Sequence, residues 1–449
     1  MIHYKRSPLV AAGCFLVISA ICVGVVARVQ AQQGDSMPKP PARFAAYGKE
    51  HQSGDAPWRK QAAERIEKQR KGDLTVQLVD KKGKPVGNGT VEVKMTRHAF
   101  RFGSAISGLL IETPEPGDKD TKMAREIFLK WFNAGTVENE LKPNFWAQNR
   151  ERGRAAVKWL TGQGIPVHGH TLVWPAWERS GDAGKFRDDP KALRKHLLGH
   201  IRDVVGSLRG QVEAWDVVNE PRRNRDLMNV LGDGAMVEWF QAARAADPKA
   251  RLFINDFWHL ENAAPQASDD FEKLIQGLVE RGAPLDGIGL EAHIRQPRAP
   301  EQLYEKLERF AKIGKPLRVT EFDFAAPNGD AQLTADYTRD FLTVMFSHPA
   351  VEGVTLWGFW EGSHYRPEAA LFMQDWTPKP SALAWYQLVR KEWWTEASGA
   401  TDAKGEFKTR GFLGDYEVTV KTGKQFVTKR VTLPNDGAVV KITLDEVNR

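Results

Sequence analysis

The chain has 449 residues, of which 41% are hydrophobic and 10% aromatic, and this predicts a globular protein with one large core and room for a smaller one. Lysine and arginine total 64 against 57 acidic residues, which gives a formal charge of +7. Because the charges are interspersed and no long basic stretch interleaves with aromatic residues, the composition argues against a nucleic-acid partner.

Residues 1–31 have the pattern of an export segment, in which two basic residues precede an apolar run at 8–27 and small residues follow. This run is about 20 residues long and fits either a cleaved signal peptide or a membrane anchor. In both cases the remainder is expected to be exported: secreted, periplasmic or anchored to the outer side of a membrane. Both cysteines, Cys14 and Cys22, lie in the run, so no thiol or disulfide chemistry is expected in the exported part.

The next segments predict a linker and a small structured region. Residues 32–56 are rich in Pro, Gly and polar residues, which is typical of a linker. Residues 57–99 predict a charged helix and then a β-hairpin, because apolar residues alternate on both sides of a Gly- and Pro-containing turn.

Between residues 100 and 395, strand-like runs alternate with stretches of helical periodicity. The eight runs are FRFGSAI, AGTVEN, VHGHTLVW, VEAWDVVNE, RLFINDF, DGIGLEAH, PLRVTEFDF and GVTLWGFW. Eight strand-then-helix units predict an α/β fold, the closed (β/α)8 or TIM barrel, whose active site lies where the strands end. A doubly wound open sheet is the alternative, and it is disfavoured because the first turn lacks a glycine-rich phosphate loop.

Residues 396–449 form a C-terminal β-module with four predicted short strands, too few and too exposed for a robust core. The predicted hairpin within residues 57–99 is likewise too small to form a robust core by itself. Because the first strand and last helix of a barrel lie side by side, we expect hairpin and tail to join into one small accessory β-sandwich.

Polar side chains stand at the ends of six predicted barrel strands. The fourth strand stops at Asn219 and Glu220 because Pro221 follows. The other strand ends carry Glu138 and Asn139, His170 and Trp174, Glu291 and His293, Glu321 and Asp323, and Trp357. A single strand-end glutamate is more often a cap or an ion-pair partner, but six such ends at one mouth indicate a shared site.

Paired carboxylates with histidines, amides and tryptophans fit cleavage of a glycosidic bond. One carboxylic acid protonates the leaving oxygen, and the other carboxylate attacks the sugar or activates water, while tryptophan faces stack on sugar rings. Metal-assisted hydrolysis is the competing chemistry, with His168 and His170 as a ligand pair. If His170 points into the mouth, however, His168 lies one layer deeper, and no clustered ligands complete a zinc site, so no metal is expected.

The motifs WDVVNEP, TEFDF, HGHTLVW, TVENELK, GIGLEAH and LWGFWEG resemble those of glycoside hydrolase family 10, the retaining endo-1,4-β-xylanases. TRHAFRFGSAI and the tail GEFKTRGFLGDYEVTV resemble the plant-type branch of that family. The resemblance implies a (β/α)8 barrel, a double-displacement mechanism without a cofactor, and xylan or a related β-1,4-linked polysaccharide as partner. A monomer is expected.

Under this resemblance, Glu220 is the general acid/base, Glu321 the nucleophile, and Asn219 the partner of the hydroxyl next to the reacting carbon. The remaining substrate-binding residues are Glu138, Asn139, Lys142, His170 and Trp174 on the glycone side, with Glu291, His293, Trp357 and Tyr365. Three further aspartates are expected to orient neighbours: Asp216, Asp256 and Asp323.

Four positions depart from the family pattern and leave the exact substrate open. Pro175 stands where a second histidine is common, Pro143 where tryptophan is usual, Tyr365 where a second tryptophan is expected, and Glu291 where glutamine is common.

Glu291 is the departure closest to the chemistry. Its carboxyl group either shares a proton with Glu321 or turns aside to pair with Arg295 or Lys142.

Two other functions remain open at this point. One is a retaining β-glycosidase acting on another plant-wall β-glycan. The other is a non-catalytic polysaccharide-binding protein, against which the presence of both Glu220 and Glu321 argues.

Overall fold

The computed structural model describes residues 47–111, 118–261, 265–423 and 425–444. The predicted export segment and residues 32–46 of the predicted linker lie outside the described residues. Among the helices that are described, none is both long and apolar enough to cross a membrane.

The structure begins with two helices and two strands that precede the barrel. They are α1 (Lys49–Gln52), α2 (Pro57–Arg70), β1 (Lys71–Val79) and β2 (Thr90–His98).

Eight parallel strands then close into a barrel, in which each strand pairs with the next and the last pairs with the first. The barrel strands are β3 (Arg101–Ile106), β4 (Ala134–Val137), β5 (Val167–Gly169), β6 (Ala214–Asn219), β7 (Arg251–Asp256), β8 (Gly287–Ile294), β9 (Leu317–Phe324) and β10 (Val351–Leu356). The helices are α3 (Lys119–Trp131), α4 (Pro143–Gly162), α5 (Pro190–Ser207), α6 (Asp226–Leu231), α7 (Ala235–Ala246), α8 (Pro265–Glu280), α9 (Pro300–Ala311), α10 (Ala331–Ser347) and α11 (Pro380–Gln387). The predicted TIM barrel is confirmed.

Local sequence accounts for these elements. Every residue of β6 and β9 is buried, as expected for strands covered by helices on one side and filled by the barrel core on the other. Helix α9 buries apolar residues at helical spacing, including Leu303, Leu307 and Phe310. Asp189 caps the N-terminus of helix α5, and its side chain accepts a hydrogen bond from the Ala192 amide at 3.0 Å.

Two small sheets lie outside the barrel, and they combine the early strands with the tail. The tail strands are β11 (Glu396–Ala400), β12 (Glu406–Phe412), β13 (Gly414–Thr422), β14 (Gln425–Leu433) and β15 (Ala438–Thr443). One sheet has the order β12-β1-β15 and the other β11-β2-β13-β14. Alternate residues of β1 and β13 are buried, which gives each sheet one apolar face, and the predicted accessory sandwich is confirmed.

The predicted hairpin of β1 and β2 is wrong, because the two strands lie in different sheets. The chain reverses at Asp80, whose amide donates to the Lys84 carbonyl, and then passes to the other sheet. A two-stranded hairpin would leave its apolar face in water, whereas strands in opposite sheets bury Leu74 and Val76 on one side and Val91 on the other.

Two further predictions need correction. Residues 47–56 are not a linker, because α1 forms there and the buried Tyr47 donates a hydrogen bond to Asp340 Oδ2 at 2.7 Å. The tail contains a fifth strand, β11, with the sequence EASGA. Its small residues give no apolar alternation, so pairing with β2 rather than side-chain pattern defines this strand.

Candidate active site

The C-terminal ends of the barrel strands enclose a cleft of about 510 Å³. All but one of the predicted catalytic and substrate-binding residues line it: Glu138, Asn139, Lys142, His170, Trp174, Glu220, Glu291, His293, Glu321, Trp357 and Tyr365. The exception, Asn219, is buried at the end of β6. The cleft also contains residues that were not predicted to bind substrate: Arg179, Phe257, Trp258, Glu261 and Arg295. Of these, Phe257 and Trp258 directly follow a strand end and are aromatic, a signal that could have identified them.

Glu220 follows β6 in a left-handed backbone conformation, with φ of 52°. Its amide donates to the Asn255 carbonyl at 2.8 Å, and its Oε2 accepts from Asn224 Nδ2 at 2.9 Å. A non-glycine residue in this region is held at a cost of roughly 1 kcal/mol or more, and such residues concentrate at functional sites. Burial and the negative charge of Glu321 raise the pKa of Glu220, which favours the protonated acid.

Glu321, in the buried strand β9, is surrounded by hydrogen-bond donors. His293 Nε2 lies 3.1 Å from its Oε2, and Asn255 Nδ2 lies 3.1 Å from its Oε1. His170 Nδ1 is 3.8 Å from Oε1. The Glu321 carboxyl group is therefore held with both of its oxygens facing donors, in a position from which a carboxylate can attack an electrophilic carbon.

Asn255 connects the catalytic candidates and was missed by the sequence analysis. Its Nδ2 lies 2.9 Å from Asn219 Oδ1, 3.0 Å from Glu291 Oε1 and 3.1 Å from Glu321 Oε1. Its Oδ1 accepts from Thr320 Oγ1 at 2.6 Å, which fixes the amide orientation. The Asn219 Nδ2 group is buried without a partner among the described residues, so it is available to a ligand.

Glu291 lies in the same group rather than turning aside. In the part of the chain that the structure describes, it forms no ion pair with Arg295 or Lys142; its partners are Asn255 and His293, whose Nε2 is 3.9 Å from Glu291 Oε2. Burial and the charge of Glu321 raise the pKa of Glu291 well above its ordinary value. The geometry therefore favours a proton shared between the two carboxyl groups.

His293 is held between two carboxylates. Its Nδ1 lies 2.6 Å from Asp323 Oδ2, and its Nε2 lies 3.1 Å from Glu321 Oε2. Burial alone would lower the pKa of His293, but the hydrogen bonds to Asp323 and Glu321 raise it to about 10. Asp323 also accepts from the Tyr365 hydroxyl at 2.9 Å and pairs with Arg366. A protonated His293 donates to both of its carboxylate partners.

Glu291, His293 and Glu321 also have the spacing of a metal site, since one ligand atom from each lies within 4.8 Å of the others. A metal needs the lone pair of a neutral imidazole nitrogen. The raised pKa of His293 means that its ring is protonated at neutral pH, and the two nitrogens are occupied by Asp323 and Glu321. The donor set therefore fits a hydrogen-bonded cluster better than a cation site.

The other histidine pair shares an aspartate. His168 Nε2 lies 2.8 Å from Asp216 Oδ1, and His170 Nδ1 lies 3.0 Å from Asp216 Oδ2. His170 contacts the cleft, whereas His168 lies deeper, as the alternation of strand residues predicts. Asp216 is thus an orienting residue. Asp256 is also buried and accepts from the Phe257 amide at 2.8 Å.

The predicted glycone wall combines a cation with two indole rings. Lys142 Nζ donates to Asn139 Oδ1 at 2.9 Å and lies 5.8 and 5.6 Å from the ring centroids of Trp174 and Trp357. Burial lowers the pKa of Lys142 and raises the pKa of Glu138. Aromatic faces with hydroxyl-bonding groups beside them are suited to sugar rings.

The sequence was compared with those of known proteins, and two relatives align over most of this chain. An anti-sigma-I factor, RsgI6, of Acetivibrio thermocellus is 32% identical over 375 residues, which cover 81% of this chain and 46% of that protein. Endo-1,4-beta-xylanase 1 of Arabidopsis thaliana is 28% identical over 388 residues, covering 84% of this chain and 40% of that protein. The chain thus spans less than half the length of these two relatives.

Among solved structures, xylanase 10B of Thermotoga petrophila in complex with xylobiose superposes with a TM-score of 0.58 at 26% identity. The match covers 66% of this chain and 95% of that one. Residues 94–389, which include the whole barrel, match the sequence profile of Glycosyl hydrolase family 10. The chain therefore belongs to glycosyl hydrolase family 10.

Proposed function

We propose that the protein is a retaining endo-1,4-β-xylanase in which Glu220 is the acid/base and Glu321 the nucleophile. The observation that supports this most directly is the opposite environment of two carboxyl groups in one cleft. Burial and a neighbouring charge raise the pKa of Glu220, while both carboxyl oxygens of Glu321 face hydrogen-bond donors. Such divergent environments separate an acid from a nucleophile.

In the first step, Glu321 attacks the anomeric carbon, and the glycosidic bond breaks as Glu220 gives its proton to the leaving oxygen. This forms a glycosyl ester on Glu321. In the second step, Glu220 takes a proton from water, the water oxygen bonds to the anomeric carbon, and Glu321 is released as the carboxylate. The unpartnered Nδ2 of Asn219 donates to the neighbouring sugar hydroxyl.

Xylan is the proposed substrate because the sequence motifs and the comparisons point the same way. The solved relative from Thermotoga petrophila holds xylobiose, and the Arabidopsis relative is named as an endo-1,4-xylanase. Assignment to the plant-type branch rests on the sequence motifs and on the similarity to this Arabidopsis protein. The proposal that the protein is exported rests on the sequence pattern of residues 1–31.

The test uses purified full-length protein and linear xylo-oligosaccharides, with product size followed by chromatography and the anomeric configuration by proton NMR. Mid-chain cleavage with an initial β-anomer is expected. An initial α-anomer would overturn the retaining mechanism, and release of only terminal xylose would overturn endo action. Parallel assays on glucomannan and mixed-linkage glucan separate a xylanase from a glycosidase of another β-glycan.

Two variants assign the carboxyl groups. Glu321→Ala is expected to lose turnover on every substrate. Glu220→Ala is expected to retain turnover of aryl xylosides with good leaving groups, which need little protonation. If Glu220→Ala lost as much turnover on aryl xylosides with good leaving groups as on natural substrates, as Glu321→Ala is expected to do, the assigned roles would be contradicted.

Polysaccharide binding without turnover is the second candidate. A relative at 32% identity is named as an anti-sigma-I factor rather than as an enzyme, so membership of the family does not by itself establish turnover. Calorimetric binding of xylohexaose by a protein that releases no product over a day would support this candidate, whereas retention of xylanase activity would exclude it.

A further inference from the structure

A chain of hydrogen bonds runs inside the barrel from its N-terminal end to the cleft. At the N-terminal end, Arg318 donates through Nη2 to Glu213 Oε1 at 2.6 Å and through Nε to Glu352 Oε1 at 2.5 Å. Its Nη1 lies 3.1 Å from Nδ1 of His168. The Arg318 side chain is 8% exposed, while those of Glu213 and Glu352 are 26% and 28% exposed. The chain therefore starts near solvent, opposite the cleft.

The direction of each hydrogen bond follows from the chemistry of its ends. A guanidinium group can only donate, so His168 Nδ1 must be an acceptor and the ring proton must be on Nε2. That Nε2–H donates to Asp216 Oδ1 at 2.8 Å. The second oxygen of Asp216 then accepts from Nδ1–H of His170 at 3.0 Å.

The chain ends beside the catalytic candidates. With its Nδ1 directed at Asp216, His170 has its Nε2 left for a ligand, and the ring borders the cleft. The Nδ1 atom of His170 is also 3.8 Å from Glu321 Oε1. The Asp216 carboxylate, which only accepts, places the ring protons of both histidines, while Arg318 holds the far side of the His168 ring at Nδ1.

We propose that Arg318 is a positioning residue for the reaction, because it fixes the orientation of the His168 ring and thereby the position of Asp216, which holds His170 with its Nε2 toward a sugar hydroxyl beside Glu321. The inference rests on the proposed function for its kinetic consequence, but not for the ring positions themselves. The contacts of Glu213 and Glu352 are secondary, since they hold the guanidinium in place.

The groups that face the two histidines are consistent with this assignment. His168 is faced by Arg318 and Asp216, and its ring packs 5.3 Å from that of Phe253. Burial would raise the pKa of Asp216, but His168 and His170 lower it, so the carboxylate is ionised and accepts from both rings. His170 is faced by Asp216 and Glu321 and by the indole rings of Trp174 and Trp357.

The test compares Arg318→Met with a matched control, Arg251→Met. Removing Arg318 leaves Glu213 paired with Arg101 at 2.7 Å and Glu352 paired with Arg251 at 2.6 Å, so neither carboxylate loses all of its cations. The control removes a cation from Glu352 but leaves the contact with His168 intact. Both variants therefore lose an ion-pair partner at the same end of the barrel, and only one breaks the chain.

The first measurement is 15N NMR of ring-labelled histidines. In the parent and in Arg251→Met, His168 is expected to carry its proton on Nε2 and His170 on Nδ1. In Arg318→Met, His168 Nδ1 loses its donor, so the ring resonances of both His168 and His170 are expected to shift. His170 ring resonances that are the same in the two variants would overturn the inference.

The second measurement is kcat/KM on an aryl xylobioside. Arg318→Met is expected to lose about tenfold to hundredfold, as is typical of groups that act through a hydrogen-bonded neighbour, while Arg251→Met stays within about twofold of the parent. Equal losses in the two variants, in proportion to their loss of stability, would reduce Arg318 to a structural role and overturn the inference.

A second pair of variants avoids dependence on the arginine. His168→Gln retains one donor and one acceptor and is expected to preserve most activity, whereas His168→Leu is expected to lose it. Equal activity of these two variants would also refute the role of the hydrogen-bond chain in the reaction. If the parent protein cleaves no β-glycan, the proposed function fails, but the NMR measurement still decides this inference.

Discussion

Replacing Glu291 with glutamine is expected to keep the enzyme active and to extend its activity toward higher pH. Glu291 and Glu321 share the Asn255 amide, whose Nδ2 lies 3.0 and 3.1 Å from one oxygen of each. That amide has two hydrogens for three nearby acceptors, since Asn219 Oδ1 is the third. A protonated Glu291 removes this deficit because it can donate, and glutamine would donate without titrating.

The size of the effect follows from the separation of the charges. One ligand atom of Glu291 and one of Glu321 lie within 4.8 Å. Two unit charges about 4.8 Å apart repel by about 3.5 kcal/mol at an effective dielectric constant of about 20, a roughly 300-fold bias against the doubly ionised pair. The protonated form of Glu291 is therefore present below its raised pKa and is lost as the pH rises through it, which produces an alkaline decline in activity.

The assay is the pH dependence of kcat/KM on an aryl xylobioside with a good leaving group, so that protonation of Glu220 matters little. For Glu291→Gln we expect a plateau within about threefold of the parent, since one donor replaces another. Its alkaline limb should move to higher pH and then report His293, whose pKa is about 10. An unchanged alkaline limb would refute the reasoning. Glu291→Ala is the control, and it should lose activity at every pH because it has no donor.

Three further outcomes are expected. Asn255→Leu should lower kcat by about tenfold to hundredfold, because charged hydrogen bonds contribute about 1.5–3 kcal/mol; unchanged turnover would contradict its role. Burial would raise the pKa of Glu213, but Arg318 and Arg101 lower it from 4.5 to about 2. Glu213→Gln should therefore lower the free energy of unfolding, measured in urea at pH 7, by about 2–3 kcal/mol. This difference between variant and parent should disappear as the pH falls from about 4.5 to 2. A difference that stayed constant with pH would show that Glu213 is not ionised. Deleting residues 396–449 should expose β1 and β2 to proteolysis, because all of their strand partners lie in the tail; protection of both strands would contradict the pairing.

The residues of the cleft were predictable to the extent that barrel topology brings strand ends together. Glu220 and His293 were identified as candidates because each stands where a buried strand ends, and parallel strands in a barrel end at one mouth. Asn255 lies one residue before the end of β7, in a run that resembles core. Its importance depends on Asn219 of the adjacent strand β6 and on Thr320 of β9, two strands away, and nothing local in RLFINDF predicts those contacts.

The accessory sheets likewise contain contacts between distant segments that the local sequence could not predict. Apolar alternation predicted that β1 and β2 are strands, but not which strands they pair with, because pairing depends on segments far along the chain. Pattern alone also could not detect β11, whose residues are small, or Tyr47, whose burial depends on a hydrogen bond to Asp340 on α10.

The pairing of β1 with the tail has a consequence for synthesis. Arg410 on β12 bonds Asp73 on β1, 337 positions earlier, so this sheet cannot form until nearly the entire chain has been made. At about 5–20 residues per second, β1 and β2 emerge from the ribosome and wait for roughly 20–70 s with unsatisfied strand edges. During that interval they are exposed to mispairing with other nascent chains. A chaperone that covers strand edges should therefore raise the yield of folded protein more than one that assists the barrel alone.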